Sequence, residues 1–189
     1  MKSFSNNLLH LGGYMSEGDP YTWMPDIWGY LLIKYNLNSV VDIGCGIGHN
    51  LSWFKSMNLE ICGIEGMEDA IKKSVIPNDV ILHDFTKGQL TLQKKYDLAI
   101  STEFVEHVEE IYEKNWMSVL DSCEYFLMSH ALPGQKGHHH VNCQESNYWI
   151  EKITSIGFKY DHELSTIFKN TNNRMLSKWG RNTLLFFKR

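Results

Sequence analysis

The segment Thr102–His107, TEFVEH, sets two carboxylates and an imidazole close together, and Gly137–Asn142, GHHHVN, adds three more imidazoles. A helix through the first segment would put Glu103, Glu106 and His107 on one face, since spacings of three and four share a side. Carboxylates crowded in that way repel unless a proton or a cation sits between them. Two carboxylates with one or two imidazoles make a mixed oxygen and nitrogen ligand set. Such a set suits Mg²⁺, Mn²⁺ or Fe²⁺, and suits zinc less because no thiolate is included. The candidate metal ligands are therefore Glu103, Glu106 and His107 with a histidine of the GHHHVN run, in which His138 and His140 project to the same side of an extended segment. His107, His139 and Glu103 are the candidates for moving a proton. In the competing reading the Glu–His pair only orients a helix and the histidine run is a solvated loop.

The elements that must bring these segments together follow from hydrophobic patterning. Short apolar runs bounded by turn residues recur at Ser39–Ile43, Glu60–Ile64, Val80–Leu82, Tyr96–Ile100 and Tyr125–Ser129, then at Phe158–Asp161 and Thr183–Lys188. Helical spacing fills His49–Asn58, Met67–Val75, Ile111–Ser122 and Asn147–Ile156, and Trp23–Tyr35 reads as an amphipathic helix with Pro25 in its first turn. Strands alternating with helices predict an α/β fold, a seven-stranded and mostly parallel sheet with helices on both faces. No amphipathic segment stands out between the last two runs, so they are expected to pair as a long hairpin that sets an antiparallel strand at one edge. Should the fourth and fifth strands be neighbours in that sheet, their carboxyl ends would deliver GHHHVN towards TEFVEH.

The strongest single motif is VVDIGCGIGHN, residues 40–50. A strand delivers Asp42, and Gly44, Gly46 and Gly48 then let backbone approach a ligand closely ahead of a helix, with Cys45 in the same loop. A dinucleotide fingerprint needs its third glycine where His49 stands, so the dinucleotide reading loses its support. Glu65 ends the second strand, where a carboxylate accepts hydrogen bonds from both hydroxyls of a ribose, and Gly66 and Met67 follow it. Asp84 follows the third strand and is placed to meet an adenine amino group, with Phe85 available for stacking.

This ordered set is similar to that of the class I S-adenosylmethionine-dependent methyltransferases. YDLAISTEFVEHV, which includes Thr102, resembles that family's fourth strand and the turn after it, and the likeness runs from about Val40 to the C-terminus. The resemblance implies a Rossmann-like fold that binds S-adenosylmethionine, with Gly44, Gly46 and Gly48 beside its methionine part, Glu65 on its ribose and Asp84 near its adenine. Asp42 and Glu103 would face the positive sulfonium. E-x-x-E-H with a later histidine also resembles the metal site of the small-RNA 3′-terminal 2′-O-methyltransferases; Glu103, Glu106 and His107 match that motif, and His140 is the choice for the fourth ligand.

Composition narrows the acceptor. The 189 residues suit a single methyltransferase domain, with 1–38 as an N-terminal lid and helix and 39–189 as the cofactor-binding sheet core. The net charge of −4 and the lack of a basic stripe argue against nucleic acid and an anionic membrane surface. The four cysteines form no CxxC pair, no apolar run is long enough to span a membrane, and Met1–Leu9 lacks a signal-peptide core, so a cytoplasmic protein is expected. Gly12–Trp28, which contains Tyr14, reads either as a lid over the methyl donor or as an ordinary connecting loop. Trp23 and Trp149 suit stacking on sugar faces, or the core, and Arg174 is a further candidate acceptor contact. The expectation is a divalent-metal-assisted O-methyltransferase acting on a hydroxyl of a sugar, glycan or other small polyhydroxylated acceptor. A metal-free N- or O-methyltransferase, an RNA ribose 2′-O-methyltransferase and a non-catalytic binding module are the alternatives.

Overall fold

SVVDI is five residues without a charge until Asp42, and all five are buried in the central strand β1 (Ser39–Ile43). A computed structural model describes residues 10–11, 13, 15, 17–171 and 183–189. The remaining strands are β2 (Glu60–Glu65), β3 (Val80–Leu82), β4 (Tyr96–Ser101), β5 (Cys123–Met128), β6 (Lys159–Tyr160) and β7 (Leu185–Lys188). They form one seven-stranded sheet in the order β3-β2-β1-β4-β5-β7-β6. The pairs from β3 through to β5 are parallel. The antiparallel pairing lies at the far edge, where β7 runs between β5 and the two-residue β6.

Alternation along each strand divides the core in two. Val41, Ile43, Ile64, Ala99, Phe126 and Phe187 join one cluster with Trp116 and Trp149. These tryptophans belong to α4 (Glu113–Met117) and α5 (Ser146–Ser155). Val40, Ile61, Leu98, Ile100, Leu127 and Phe186 join the other, with Trp28, Phe54 and Phe168. Those three come from α1 (Pro25–Tyr35), α2 (His49–Ser56) and α6 (His162–Asn170). A short α3 (Glu68–Lys72) completes the set. Both faces of the sheet are therefore covered, and the loops at its carboxyl edge are left to build a site.

Several local expectations are corrected. The last two strands are not joined by a simple hairpin, because α6 lies between them. Its signals are Asp161, whose side chain accepts from Leu164 N–H at 3.0 Å, and Leu164 and Phe168 four residues apart on the buried face. The helix expected over Ile111–Ser122 is α4 flanked by 3₁₀ turns at Glu110–Tyr112 and Ser118–Ser122. The helix expected from Trp23 starts at Pro25, whose missing N–H costs nothing in the first turn. TEFVEH is not an α-helix: Glu103 takes a left-handed φ of 53°, and only Val105–His107 forms a 3₁₀ turn. Among the described residues no helix is long and apolar enough to cross a membrane.

Candidate active site

A cavity of about 310 Å³ opens at the carboxyl ends of β1, β2 and β4. Its floor is the glycine loop. Gly44 and Cys45 donate their N–H groups to Ile64 O at 2.9 and 3.1 Å, and Gly48 donates to Cys45 O at 2.9 Å. Gly44 has φ +80°, and a Cβ there would fall 2.3 Å from the Phe104 ring. Gly48 has φ +83°, and a Cβ would fall 2.4 Å from Ile76. Only glycine satisfies both the backbone angle and the space. Glu65 ties this loop to β2 by accepting from Gly46 N–H at 2.9 Å and Met67 N–H at 2.8 Å. Burial pushes its carboxyl up, against the pull of those backbone donors.

Gly44, Cys45, Gly46, Gly48, Glu65, Gly66, Met67, Asp84, Phe85 and Thr102, all expected around the cofactor, line this cavity. Asp42 does not: at 2% exposure it lies outside the lining residues. Burial, and then the neighbouring Glu65 charge, lift its carboxyl to about 8. Asp84 reaches the wall already engaged. Its Oδ1 accepts from Thr86 N–H and Oγ1 at 2.9 and 2.7 Å, and its Oδ2 meets His10 Nε2 at 3.0 Å. Burial pushes Asp84 up, but these bonds prevail and hold it below the usual carboxylate range. Tyr14 lies outside the described residues.

The far end of the cavity is built from the β4 and β5 loops. Val141 and Asn142 donate their N–H groups to Glu106 O at 2.9 and 3.1 Å, which docks the histidine loop on the TEFVEH turn. Glu106, His107 and His140 then present ligand atoms within 4.8 Å of one another; the two histidines line the cavity and Glu106 is buried outside its lining. The His107 and His140 ring centroids are 5.1 Å apart. His140 Nδ1 sits 3.0 Å from Gln135 O, a contact in which the ring nitrogen donates to the carbonyl. Glu106 is fully buried, and neither of its carboxylate oxygens has a hydrogen-bond partner; His107 Nδ1 is likewise buried and unpartnered. Burial, reinforced by Glu103, pushes the Glu106 carboxyl well up, against a weaker pull from the nearby backbone of Glu106 and Phe104. Burial, reinforced by His140, pushes the His107 imidazole down to about 4, against the backbone of His138 and His139.

Glu103 stands apart from this trio, a correction that follows from its left-handed backbone. Like His107 and His140 it lines the cavity, donating its N–H to Ser129 Oγ at 3.0 Å, and burial with the Asp19 charge raises its carboxyl. His138 does not join the trio either: it is exposed, and its ring packs where a Cβ on Gly13 would sit, at 3.4 Å. His139, at φ 49°, is not among the residues that line the cavity, and its Nε2 is buried without a partner. Trp149 is fully buried in the core, and half-buried Trp23 packs edge-on against Trp28 at 5.3 Å. Neither lines the cavity, which corrects both as acceptor contacts. Arg174 lies outside the described residues.

His49, Asn50, His83, Glu109 and Tyr112 also line the cavity and escaped the sequence reading. His49 and Asn50 were the most accessible to it, since they directly follow the glycine loop. A Cβ on Gly18 would fall 2.3 Å from the His49 ring, so the N-terminal segment packs on this wall.

The model for a methyltransferase domain matches residues 20–128, more than half of the chain. Magnesium protoporphyrin IX methyltransferase from Synechocystis PCC 6803, solved with S-adenosylmethionine bound, aligns over 87% of this chain and 77% of its own, with TM-score 0.64 and 16% identity. The methyltransferase domain of bacterial CtHen1 aligns over 87% and 96%, with TM-score 0.58 and 16% identity. The plantazolicin methyltransferase BpumL, in complex with S-adenosylhomocysteine, aligns over 85% and 80%, with TM-score 0.56 and 17% identity. At these identities the likeness is one of fold. No curated protein matches the chain in sequence. Family match, sheet order and glycine loop agree: the chain belongs to the methyltransferase-domain family and is an S-adenosylmethionine-dependent methyltransferase enzyme of the Rossmann-like fold.

Proposed function

We propose that the enzyme is a divalent-metal-assisted O-methyltransferase whose acceptor is a hydroxyl of a sugar, glycan or other small polyhydroxylated molecule. One observation carries the metal: Glu106 is a fully buried carboxyl with neither oxygen in a hydrogen bond, beside the unpartnered Nδ1 of His107, and Glu106, His107 and His140 each offer a ligand atom within 4.8 Å of the others. Buried polar groups are almost always satisfied, so a trio of this chemistry fits Mn²⁺ or Mg²⁺. Glu106, His107 and His140 would hold the ion. Bound there, it would neutralise the carboxylate, orient an acceptor hydroxyl and lower its pKa.

The chain's own residues supply the rest. Gly44, Gly46 and Gly48 let backbone lie against the methionine part of the cofactor, with Glu65 at its ribose and Asp84 and Phe85 at its adenine. The acceptor oxygen displaces the sulfonium: an O–CH₃ bond forms as the S–CH₃ bond breaks, leaving neutral S-adenosylhomocysteine. Glu103, on the cavity wall with a raised pKa, takes the hydroxyl proton. Phe104 and Tyr112 line the same wall, aromatic side chains of the kind that pack on sugar rings, and none of the described lining residues is a lysine or arginine. That wall suits a neutral polyol better than a phosphodiester chain.

The alternative with a specific observation is a metal-free methyltransferase in which Glu106 keeps a proton, as its raised pKa allows. Methyl transfer to a panel of glycosides and short RNAs, in excess chelator and after adding Mn²⁺ or Mg²⁺, separates the readings. Activity on glycosides that vanishes with chelator and returns with metal is expected; full activity in chelator would overturn the metal, and transfer only to RNA with a steep salt dependence would overturn the acceptor.

A further inference from the structure

The strongest buried polar cluster outside the cavity lies directly behind its metal-ligating trio. Glu113, in α4, is 2% exposed and accepts three hydrogen bonds: from Asn142 Nδ2 at 2.9 Å, Tyr148 Oη at 2.8 Å and Lys152 Nζ at 2.8 Å. Tyr148 and Lys152 both come from α5, so the carboxylate bridges two helices and a loop. Asn142 is equally buried and is the point where the two ligand segments meet. Its Nδ2 also donates to Val108 O at 3.1 Å, its N–H donates to Glu106 O at 3.1 Å, and its Oδ1 accepts from Gln144 Nε2 at 3.0 Å.

The consequence is geometric. Asn142 stands two residues after His140, and Val108 directly follows His107. The Asn142 side chain therefore clamps the segment carrying His140 to the segment carrying Glu106 and His107. An amide held at both of its N–H groups and at its oxygen has one orientation, and Glu113 fixes it by taking one of the two N–H groups. Lys152 and Tyr148 hold Glu113 in turn. Interactions behind a set of ligands govern how well it is preorganised, and their loss typically costs about 10- to 100-fold in metal affinity.

We propose that Glu113, acting through Asn142, is a positioning residue that sets the spacing of Glu106, His107 and His140 for a divalent cation. This rests on the metal reading above, and the test is arranged so that the two fail separately. Mn²⁺ affinity and S-adenosylmethionine affinity are measured by calorimetry on the metal-stripped full chain, alongside the thermal midpoint. Glu113→Gln keeps the size of the side chain but turns an N–H group towards donors that need an acceptor. Mn²⁺ affinity is expected to fall at least tenfold in Glu113→Gln, with S-adenosylmethionine affinity within twofold of wild type. Lys152→Met, which leaves the Asn142 bond in place, is expected to lower the midpoint with a smaller loss of Mn²⁺ affinity.

Wild-type affinity for Mn²⁺ in Glu113→Gln, whatever happens to the midpoint, would overturn the positioning role and reduce Glu113 to a structural ion pair. Should Glu113→Gln not fold, Asn142→Ser carries the test: it loses the three side-chain amide bonds and keeps the backbone bonds to Glu106. The same tenfold loss supports the proposal, and unchanged Mn²⁺ binding overturns it. Wild-type protein that takes up no Mn²⁺ would instead overturn the metal reading itself.

Discussion

The two ends of the cavity differ in how their polar atoms are satisfied. At the cofactor end, Glu65 bonds Gly46 and Met67, and Asp84 bonds Thr86 and His10, before any ligand arrives. At the acceptor end, both Glu106 oxygens and His107 Nδ1 are buried with no partner. The first end is a cradle fixed by local backbone geometry. The second is a converging set of buried side chains, which on the proposed reading a cation would satisfy. One end is preorganised and the other is frustrated, and the two can be broken separately.

The largest expected effect breaks the acceptor end alone. Glu106→Ala should lower methyl transfer on the order of 100-fold or more while leaving S-adenosylmethionine affinity unchanged. The metal-free variant should unfold at the same temperature as wild type or higher, because a buried carboxyl without a partner costs stability rather than adding it. A large fall in the metal-free thermal midpoint would show that Glu106 has a structural partner.

Gly44→Ala breaks the opposite end. Its positive φ and the Phe104 contact should cost about 2 kcal/mol of stability. Cofactor affinity should fall at least tenfold in calorimetry, with the Mn²⁺ affinity retained. Equal losses of both ligands would erase the distinction between the two ends.

Gly137→Ala is a finer probe of the acceptor end. A Cβ there would fall 2.0 Å from His140 Nε2, so the ring must move. Mn²⁺ affinity should drop several-fold, and the cofactor isotherm should stay the same.

The last effect is on pH dependence. Burial lifts Asp42 from 3.8 to about 8, so between these values the folded chain holds a proton that the unfolded chain has released. Its contribution to stability is present below the unfolded value and is lost as pH rises through about 8. His107, held down from 6.5 to about 4, acts with the opposite sign below 6.5. The thermal midpoint of the metal-free protein should therefore fall between pH 6.5 and 8, and Asp42→Asn should flatten that fall.

Local sequence carried the cofactor end well. SVVDI and VIL delimit β1 and β3 to the residue, and the glycine spacing with Glu65 and Asp84 located one wall, because each of these features is set by neighbours in the chain. The acceptor end was legible only in residue type. Glu106, His107 and His140 do converge, but a helix through TEFVEH would have brought in Glu103, and the left-handed turn at that residue prevents it. His139 and Trp149 were drawn in by composition, whereas the first is not among the residues that line the cavity and the core takes the second. The segment between the last two strands hid α6, although Asp161 with Leu164 and Phe168 carried a cap and a buried face. Glu113 and Asn142 gave no sequence signal at all, since a buried carboxylate on a short helix is ordinary until three donors are seen to meet it.

The most direct test of the central claim is calorimetric titration of Mn²⁺ into metal-stripped wild-type protein and into Glu106→Ala. One ion per wild-type chain with no isotherm in the variant is the result expected of a cation-binding acceptor end. Absence of Mn²⁺ binding to the wild type, with S-adenosylmethionine still bound, would contradict it and leave Glu106 as a protonated buried acid.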